Sequence, residues 1–502
     1  MEKMFDVIIV GGGGSGLATG VSAAQNGAPV ILLEKRPELG GSTGIAVGSF
    51  TANGTALQRK QGIDDNPDDH EADAGLFGRA EIQARNNSQM RRFFLGHSSE
   101  TLDWLIDMGL RFYGPSPEPP NRLPRMHNVV PNAKAYIATL QSRLLALGGT
   151  IVCDARVEEL IREGDRIIGV RALIDGKTVT FHASRGVVLA AGDYSNSPEI
   201  ISRYKGTLFA GIEGINPHCT GDGHLMAEQA GAQLLNMDVA YGPEIRFVPP
   251  LRKPFSQLLP ASGFMARLMG WFLPLVPSSF INAMIKRLLV TWQHPEDRLF
   301  EEGAILINSR CERFCDEKTS PEREIRISEQ PEKICYILLD KRVAQKYSAW
   351  PHFISTAPEI AYAYVEDYRR IRPDITIIRE RLGDLAEARG LPAEPLQATV
   401  NSYNRYTSGE MSDPYGRAGD TEPLVDGHWV LIGPAKAYFT TTEGGVRINE
   451  SFQVLDIDSR PIEGLYAVGS NGMSGMILWG HGLHIAWAIT SGRMVGELLA
   501  GK

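Results

Sequence analysis

Cysteine is scarce: Cys153, Cys219, Cys311, Cys315 and Cys335 are the only five in 502 residues, too few and too irregular for a disulfide framework. Reduced thiols are expected. Cys311 and Cys315 lie close together, but no second Cys/His pair stands nearby, and no metal is expected. Long runs of one charge are also missing. Lys and Arg number 51 against 59 Asp and Glu, a net charge of −8, which sets nucleic acid aside as a partner because such binding rests on phosphate neutralisation. No apolar run supplies the ~20 uninterrupted residues a spanning helix requires. The nearest approach, 264–292, is broken by Arg267, Pro274, Pro277, Lys286 and Arg287. It reads as two short apolar helices, bent at the prolines and basic at the ends, that either lie on a membrane surface or roof an apolar pocket. The apolar start, 5–10, runs into four glycines without a cleavage pattern and reads as a strand rather than a signal segment. A cytoplasmic location is expected, with peripheral contact at the inner membrane face through 264–292 left open.

What is present is an ordinary globular composition, 43% apolar, in a length that suits two or three domains. The first residues read as strand, glycine turn, helix over 15–26 with Gly27 as its stop, and a second strand over 30–33, a βαβ unit. Short strands are predicted over 151–161, 166–173, 178–183 and 186–191, with turns at Gly164 and Gly176. The middle changes character and resembles an inserted domain, with a strand over 335–339 and polar helices over 361–370 and 382–389. Strand signals return at 464–469 and a helix at 482–499.

Gly11-x-Gly13-x-x-Gly16 follows a strand and opens a helix, and Glu34 closes the next strand. The glycines permit a tight turn and close approach of backbone to a pyrophosphate. The helix start, opening at Ser15, offers free N–H groups, and Glu34 can accept from ribose hydroxyls. An adenine dinucleotide is therefore expected. Lys35 and a second glycine-rich loop, GGSTGIAVGSF from Gly40, imply a further close approach to the same cofactor.

These blocks, together with GVVLAAGDYSNSPEI, TGDGHLMAEQAGA, NSRCERFCDE and TEGGVRINESFQVLDIDSRPIEGLYAVGS, resemble the FAD-dependent fumarate reductase and 3-ketosteroid dehydrogenase superfamily along nearly the whole chain. The resemblance implies an α/β fold: a Rossmann-like FAD-binding domain split in sequence, 1–237 and 441–502, with an inserted α+β capping domain, 238–440. It implies that Ser42 and Thr43 hold the ribityl and pyrophosphate groups, that Gly48 lets backbone approach flavin N5, and that Val157 faces adenine. Gly192 and Asp222 match later FAD contacts, and Gly469 and Ser470 begin the last flavin segment, where many members carry Glu in place of Ser470. The segment WGHGLHI, including Leu483 and Ile485, should present N–H groups to the flavin ring. Covalently flavinylated members carry a His after the Gly40-Gly41 loop; none stands here, so noncovalent FAD is expected.

The chain also departs from that pattern. Arg313, Phe314 and Glu317 match the fumarate reductase block, but the proton-donor Arg is replaced by Pro321, and the Arg that grips a carboxylate by Leu478. The family's His before the glycine pair corresponds to Thr441. Fumarate and succinate are therefore not expected as substrates. The Tyr pair of ketosteroid Δ1-dehydrogenases falls at Pro321 and Leu478 and is missing too, although Gly482 matches the glycine that helps polarise the steroid ketone. Replacement acid/base groups are sought in Tyr438, His481, Glu322 and Arg323, with His484 a supporting residue. The expected function is hydride transfer between flavin N5 and a C–C bond next to a carbonyl of an apolar substrate such as a ketosteroid. The electron partner is not legible. A membrane-surface electron-transfer flavoprotein serving quinone or a redox protein is the alternative.

Overall fold

Val7, Ile8 and Ile9 have no accessible surface, because both faces of the strand Glu2–Val10 are covered. In this computed structural model, which describes residues 2–250, 283, 286–291, 293–357, 361–417 and 422–501, that strand lies inside an eight-stranded sheet. It runs parallel to Val30–Leu33 on one side, with Val10 opposite Leu33, and parallel to Lys177–Leu189 on the other, with Val10 opposite Leu189. Continuous apolar runs are what a parallel strand buried on both faces requires. The end of the chain returns to this sheet: Pro461–Ala467 pairs parallel with Lys177–Leu189, Leu465 opposite Val187. The C-terminal helix Leu483–Leu499 packs on the first helix, Gly14–Gln25. Small residues set that approach, since a Cβ on Gly492 would lie 2.3 Å from the Ser15 carbonyl oxygen.

A six-stranded sheet comes from the middle of the chain. Its hub is Trp429–Phe439, which pairs with Glu213–Gly214, Glu244–Phe247, Cys335–Leu339 and Thr376–Arg379. A separate apolar core fills it, including Ile245, Phe300, Ile337 and Ile432.

Several sequence expectations shift in detail. The stretch 151–161 is two strands, Thr150–Val152 and Ala155–Glu163, separated at Asp154, whose φ is +53°. The two strands expected over 178–191 are one, Lys177–Leu189. The helix expected over 361–370 begins as a strand, Ala361–Ala363, because Ala361 and Ala363 face the core while Tyr362 points away; the helix is Val365–Ile371. The helices Ser88–Asp107 and Ala393–Thr407 and the hub strand Trp429–Phe439 carried no expectation. Of 264–292, only 283 and 286–291 are described, so Phe264, Trp271 and Phe272, the residues of the roof reading, lie outside the described residues. Among the described residues no helix is long and apolar enough to cross a membrane.

Candidate active site

A groove opens at the carboxyl ends of the parallel strands. Gly11, with φ +111°, turns the chain out of the first strand; a Cβ there would lie 2.4 Å from the Ala190 carbonyl oxygen. Gly16 packs under that turn, where a Cβ would come within 2.0 Å of the Gly11 oxygen. Gly13 differs. Its backbone is extended, and a Cβ would meet nothing nearer than Gly41 Cα at 3.9 Å, so its open side is the groove. The helix Gly14–Gln25 has no side-chain cap and no acidic residue in its first turn, which leaves backbone N–H groups and the positive end of the dipole facing the groove. The Glu34 carboxylate, 8% exposed, accepts from Gly12 N at 2.7 Å and Arg36 N at 2.9 Å and is thereby fixed at the groove wall.

Gly11, Gly13, Ser15, Glu34, Lys35, Ser42, Thr43, Val157, Gly192, Asp222 and Ser470 all line this groove. The Lys35 ammonium is held by Asp222 at 2.9 Å and Thr220 at 2.7 Å, so it joins the second strand to the Asp222 turn. Ser42 accepts from Asn216 Nδ2 at 3.0 Å and lies 3.3 Å from Cys219 Sγ. Asn216, His218, Cys219, Arg36 and Arg156 also line the groove and were missed by sequence reasoning. The TGDG block just after Cys219 was the available signal. Gly469 is not on the lining. Its φ is +57°, a Cβ would lie 2.8 Å from Ser15 Oγ, and it brings the last strand against the first helix.

The loop that starts in the groove at Ser42 leads past Ile45 and Val47, both about half exposed, to Gly48 at φ +105°, whose oxygen accepts from Tyr136 OH. Three residues on, Thr51 Oγ1 donates to the His481 carbonyl oxygen and Thr51 N to that of Gly482. Gly482, φ +85°, stands at the N-terminus of Leu483–Leu499, where a Cβ would strike Thr51 Oγ1 at 2.8 Å. Gly48, Gly482, Leu483 and Ile485 thus belong to the far end of the loop rather than to the groove lining itself.

Two His–Glu pairs meet at that end. His481 Nδ1 lies 2.5 Å from Glu118 Oε1, which also accepts from His481 N at 2.7 Å. His484 Nε2 lies 2.9 Å from Glu443 Oε1, and the other Glu443 oxygen accepts from Leu478 N. The His481 side chain is 59% exposed; the protein packed about its ring still disfavours the charge, but the hydrogen bond and charge of Glu118, helped by Glu244, outweigh this and raise its pKa above the ordinary imidazole value. The same balance, with Glu443, raises His484. Arg246 stands near His481 and is paired with Glu244 at 2.8 Å and Thr440 at 3.2 Å.

Tyr438 is the cross-strand neighbour of both Glu213 and Glu244; burial, then Glu213, pushes its phenol up to about 12, so it stays neutral. Arg323 is placed elsewhere. It is 4% exposed in the second core, bonded to Glu324, Asp297 and the Glu317 oxygen and stacked on Phe300 at 4.7 Å. Those partners occupy its donors, and Pro321 begins the helix that holds it there.

The model of the FAD binding domain family matches residues 6–252 and 261–480. The chain belongs to the FAD binding domain family. Its relatives are FAD-dependent oxidoreductases acting on C–C bonds. The chain is 27% identical to an NADH:fumarate oxidoreductase of Klebsiella pneumoniae over 93% of its own length and 44% of that protein's. It is 24% identical to a vinyl phenol reductase of Lactiplantibacillus plantarum over 98% of this chain and 96% of that one. It thus spans less than half of the Klebsiella relative and almost all of the Lactiplantibacillus one. In structure it matches an open-conformation flavocytochrome c3 fumarate reductase with a TM-score of 0.71 at 23% identity, covering 99% of this chain and 78% of that one. A 3-ketosteroid-Δ4-(5α)-dehydrogenase from Rhodococcus jostii RHA1 matches with a TM-score of 0.58 at 23% identity, covering 100% and 97%. The family's cofactor, FAD, fits the groove: an open Gly13, an uncapped helix start and a fixed buried carboxylate at Glu34 are what a dinucleotide needs.

Proposed function

We propose that the chain is a flavin-dependent oxidoreductase that saturates or desaturates a C–C bond next to a carbonyl of an uncharged, largely apolar substrate, a ketosteroid-like ketone or enone. In this reading 1–237 and 441–502 hold FAD, 238–440 cap the substrate, and bound FAD supplies the two-electron redox step. His481, oriented by Glu118, gives or takes the proton at the substrate carbon. Gly480 and Gly482 let the turn that carries His481 close against Leu483, Thr51 and Ser49. His484 and Glu443 hold the turn at Leu478 in place.

The observation that carries the substrate reading is the charge count around His481. Glu118, Glu244 and Glu443, with Asp193 near His484, face Arg246, His481, His484 and His294, and each of these has a carboxylate partner, Glu244 serving both Arg246 and His294. An anionic substrate entering this set would add a further carboxylate with no unpaired cation among the described residues of the set to meet it, which is unfavourable to the extent that the site excludes water. A neutral ketone carries no such penalty. Apolar ketones and enones at micromolar concentration are expected to perturb the flavin spectrum of the holoprotein, while fumarate and succinate leave it unchanged at millimolar concentration; a fumarate difference spectrum at micromolar levels would overturn the reading. The cofactor is proposed to be noncovalent. Acid precipitation is then expected to leave all the yellow colour in the supernatant, and colour in the pellet would refute it.

A further inference from the structure

We propose that Asn121 is the positioning residue of the His481–Glu118 pair: its side-chain amide, turned and held by the buried Arg125, fixes one Glu118 oxygen so that the other faces His481. The proposal rests on the reading that His481 handles the substrate proton. Between Glu118 and Asn121 stand Pro119 and Pro120, whose rings fix φ, and Asn121 N donates to the Glu118 carbonyl oxygen at 2.9 Å. The turn so closed is stiff. Within it Asn121 Nδ2 donates to Glu118 Oε2 at 3.4 Å and is the one donor to that oxygen among the described residues, while Oε1 is left for the His481 ring at 2.5 Å and His481 N at 2.7 Å. A carboxylate held at one oxygen presents the other in one direction, and its hydrogen bond to an imidazole depends on that direction.

Arg125 decides which way Asn121 turns. An asparagine amide can face either way, but a guanidinium only donates, so Arg125 Nη1 at 3.1 Å takes the Asn121 carbonyl oxygen and leaves the NH2 group for Glu118. Arg125 is itself fixed. It has no accessible surface, Asp65 accepts from its Nε and Nη2 at 2.8 Å each, and Asp73 accepts from Nη1 at 2.5 Å. Burial opposes its charge, and the hydrogen bonds and charges of Asp65 and Asp73 outweigh that. The two aspartates are tied in turn, Asp65 by Gln58 Nε2 at 2.8 Å and Asp73 by Arg122 N at 3.0 Å. Arg125 also serves the other side of the His481 turn: its carbonyl oxygen accepts from Ala52 N at 3.1 Å, and the preceding residue, Thr51, donates to the His481 carbonyl oxygen. Removing Arg125 would leave Asp65 and Asp73 buried and unpaired, so the test is made at Asn121, which is half-buried.

Besides Glu118, the groups acting on the His481 ring are Glu244 and Arg246, with His294 3.8 Å from Glu244; His484 and Glu443 lie on the next turn. Tyr241 stands near Glu118 and Glu244, and burial pushes its phenol up to about 12, so it stays neutral throughout. The test is an NMR titration of holoprotein carrying isotope-labelled histidine, with the His481 signal assigned by its loss in His481→Gln. The wild-type ring is expected to titrate above the ordinary imidazole value, about one pH unit lower in Glu118→Gln and about half a unit lower in Asn121→Ala. In the Glu118→Gln background Asn121→Ala is expected to add nothing, because it acts only through Glu118. Flavin content and melting temperature show that the variants fold; Asn121→Ser, too short to span Arg125 and Glu118, replaces Asn121→Ala if that variant does not. A wild-type ring at the ordinary value, an Asn121→Ala titration that overlays the wild type, or one lowered equally with and without Glu118 would overturn the proposal. The titration needs no turnover, so the reading of the reaction fails separately, by an unchanged kcat in His481→Gln.

Discussion

Gly13→Val is expected to fold with a melting temperature close to the wild type and to purify colourless. The wild-type Gly13 backbone is extended rather than left-handed, and the nearest atom to an added Cβ is 3.9 Å away, so the protein itself has room for a side chain. That room is the groove. A branched side chain there takes the space that the pyrophosphate needs at the helix start. Gly16→Ala is the contrast, because its Cβ would lie 2.0 Å from the Gly11 oxygen; it is expected to lower the melting temperature and lose flavin together. Absorbance of bound flavin and thermal unfolding, measured on both variants, check the pair. Full flavin occupancy in Gly13→Val would refute the placement of the dinucleotide.

His481→Gln is expected to keep its flavin and to lose 10²–10⁴ in kcat, roughly the contribution of a positioned acid or base. The side chain is on the turn before Leu483–Leu499, and its carbonyl bond to Thr51 is retained in the variant, so the fold is spared. Glu118→Gln keeps the ring but removes the charge that raises its pKa. If the protonated imidazole is the working form, the rate falls as pH rises through that pKa, and Glu118→Gln shifts the falling limb to lower pH. A pH–rate profile of the variant that overlays the wild type would show that Glu118 does not act through His481.

The dinucleotide half of the site was legible because its chemistry is local. Gly11, Gly13 and Glu34 fall within one βαβ unit, and the turn and helix start that use them are adjacent in sequence. The half around His481, proposed to meet substrate, was not. Glu118 lies in a proline-rich stretch, SPEPPN, that reads as surface, yet it is 7% exposed and meets His481 from 363 residues away. Arg246 likewise acquires its meaning from Glu244 and from Thr440, a neighbour only through the pairing of Glu244–Phe247 with Trp429–Phe439. Arg323 failed in the opposite sense. Its place two positions beyond the missing proton donor suggested chemistry, but Glu324 and Asp297 pair with the cation and hold it in the core against the cost of burial. The helix expected at 361–370 failed because alternating small and aromatic residues fit a hairpin as well as a helix, and the contact with Ser355–Ala357 decided it.

The proposed reaction with a neutral carbonyl compound is tested most directly by anaerobic mixing of the holoprotein with an enone, its saturated ketone, fumarate and succinate, following flavin absorbance. Either the enone reoxidises reduced flavin or the saturated ketone bleaches oxidised flavin, and fumarate and succinate do neither: that is the expected result. Reoxidation by fumarate as fast as by any enone, with no change from the ketone, would contradict it.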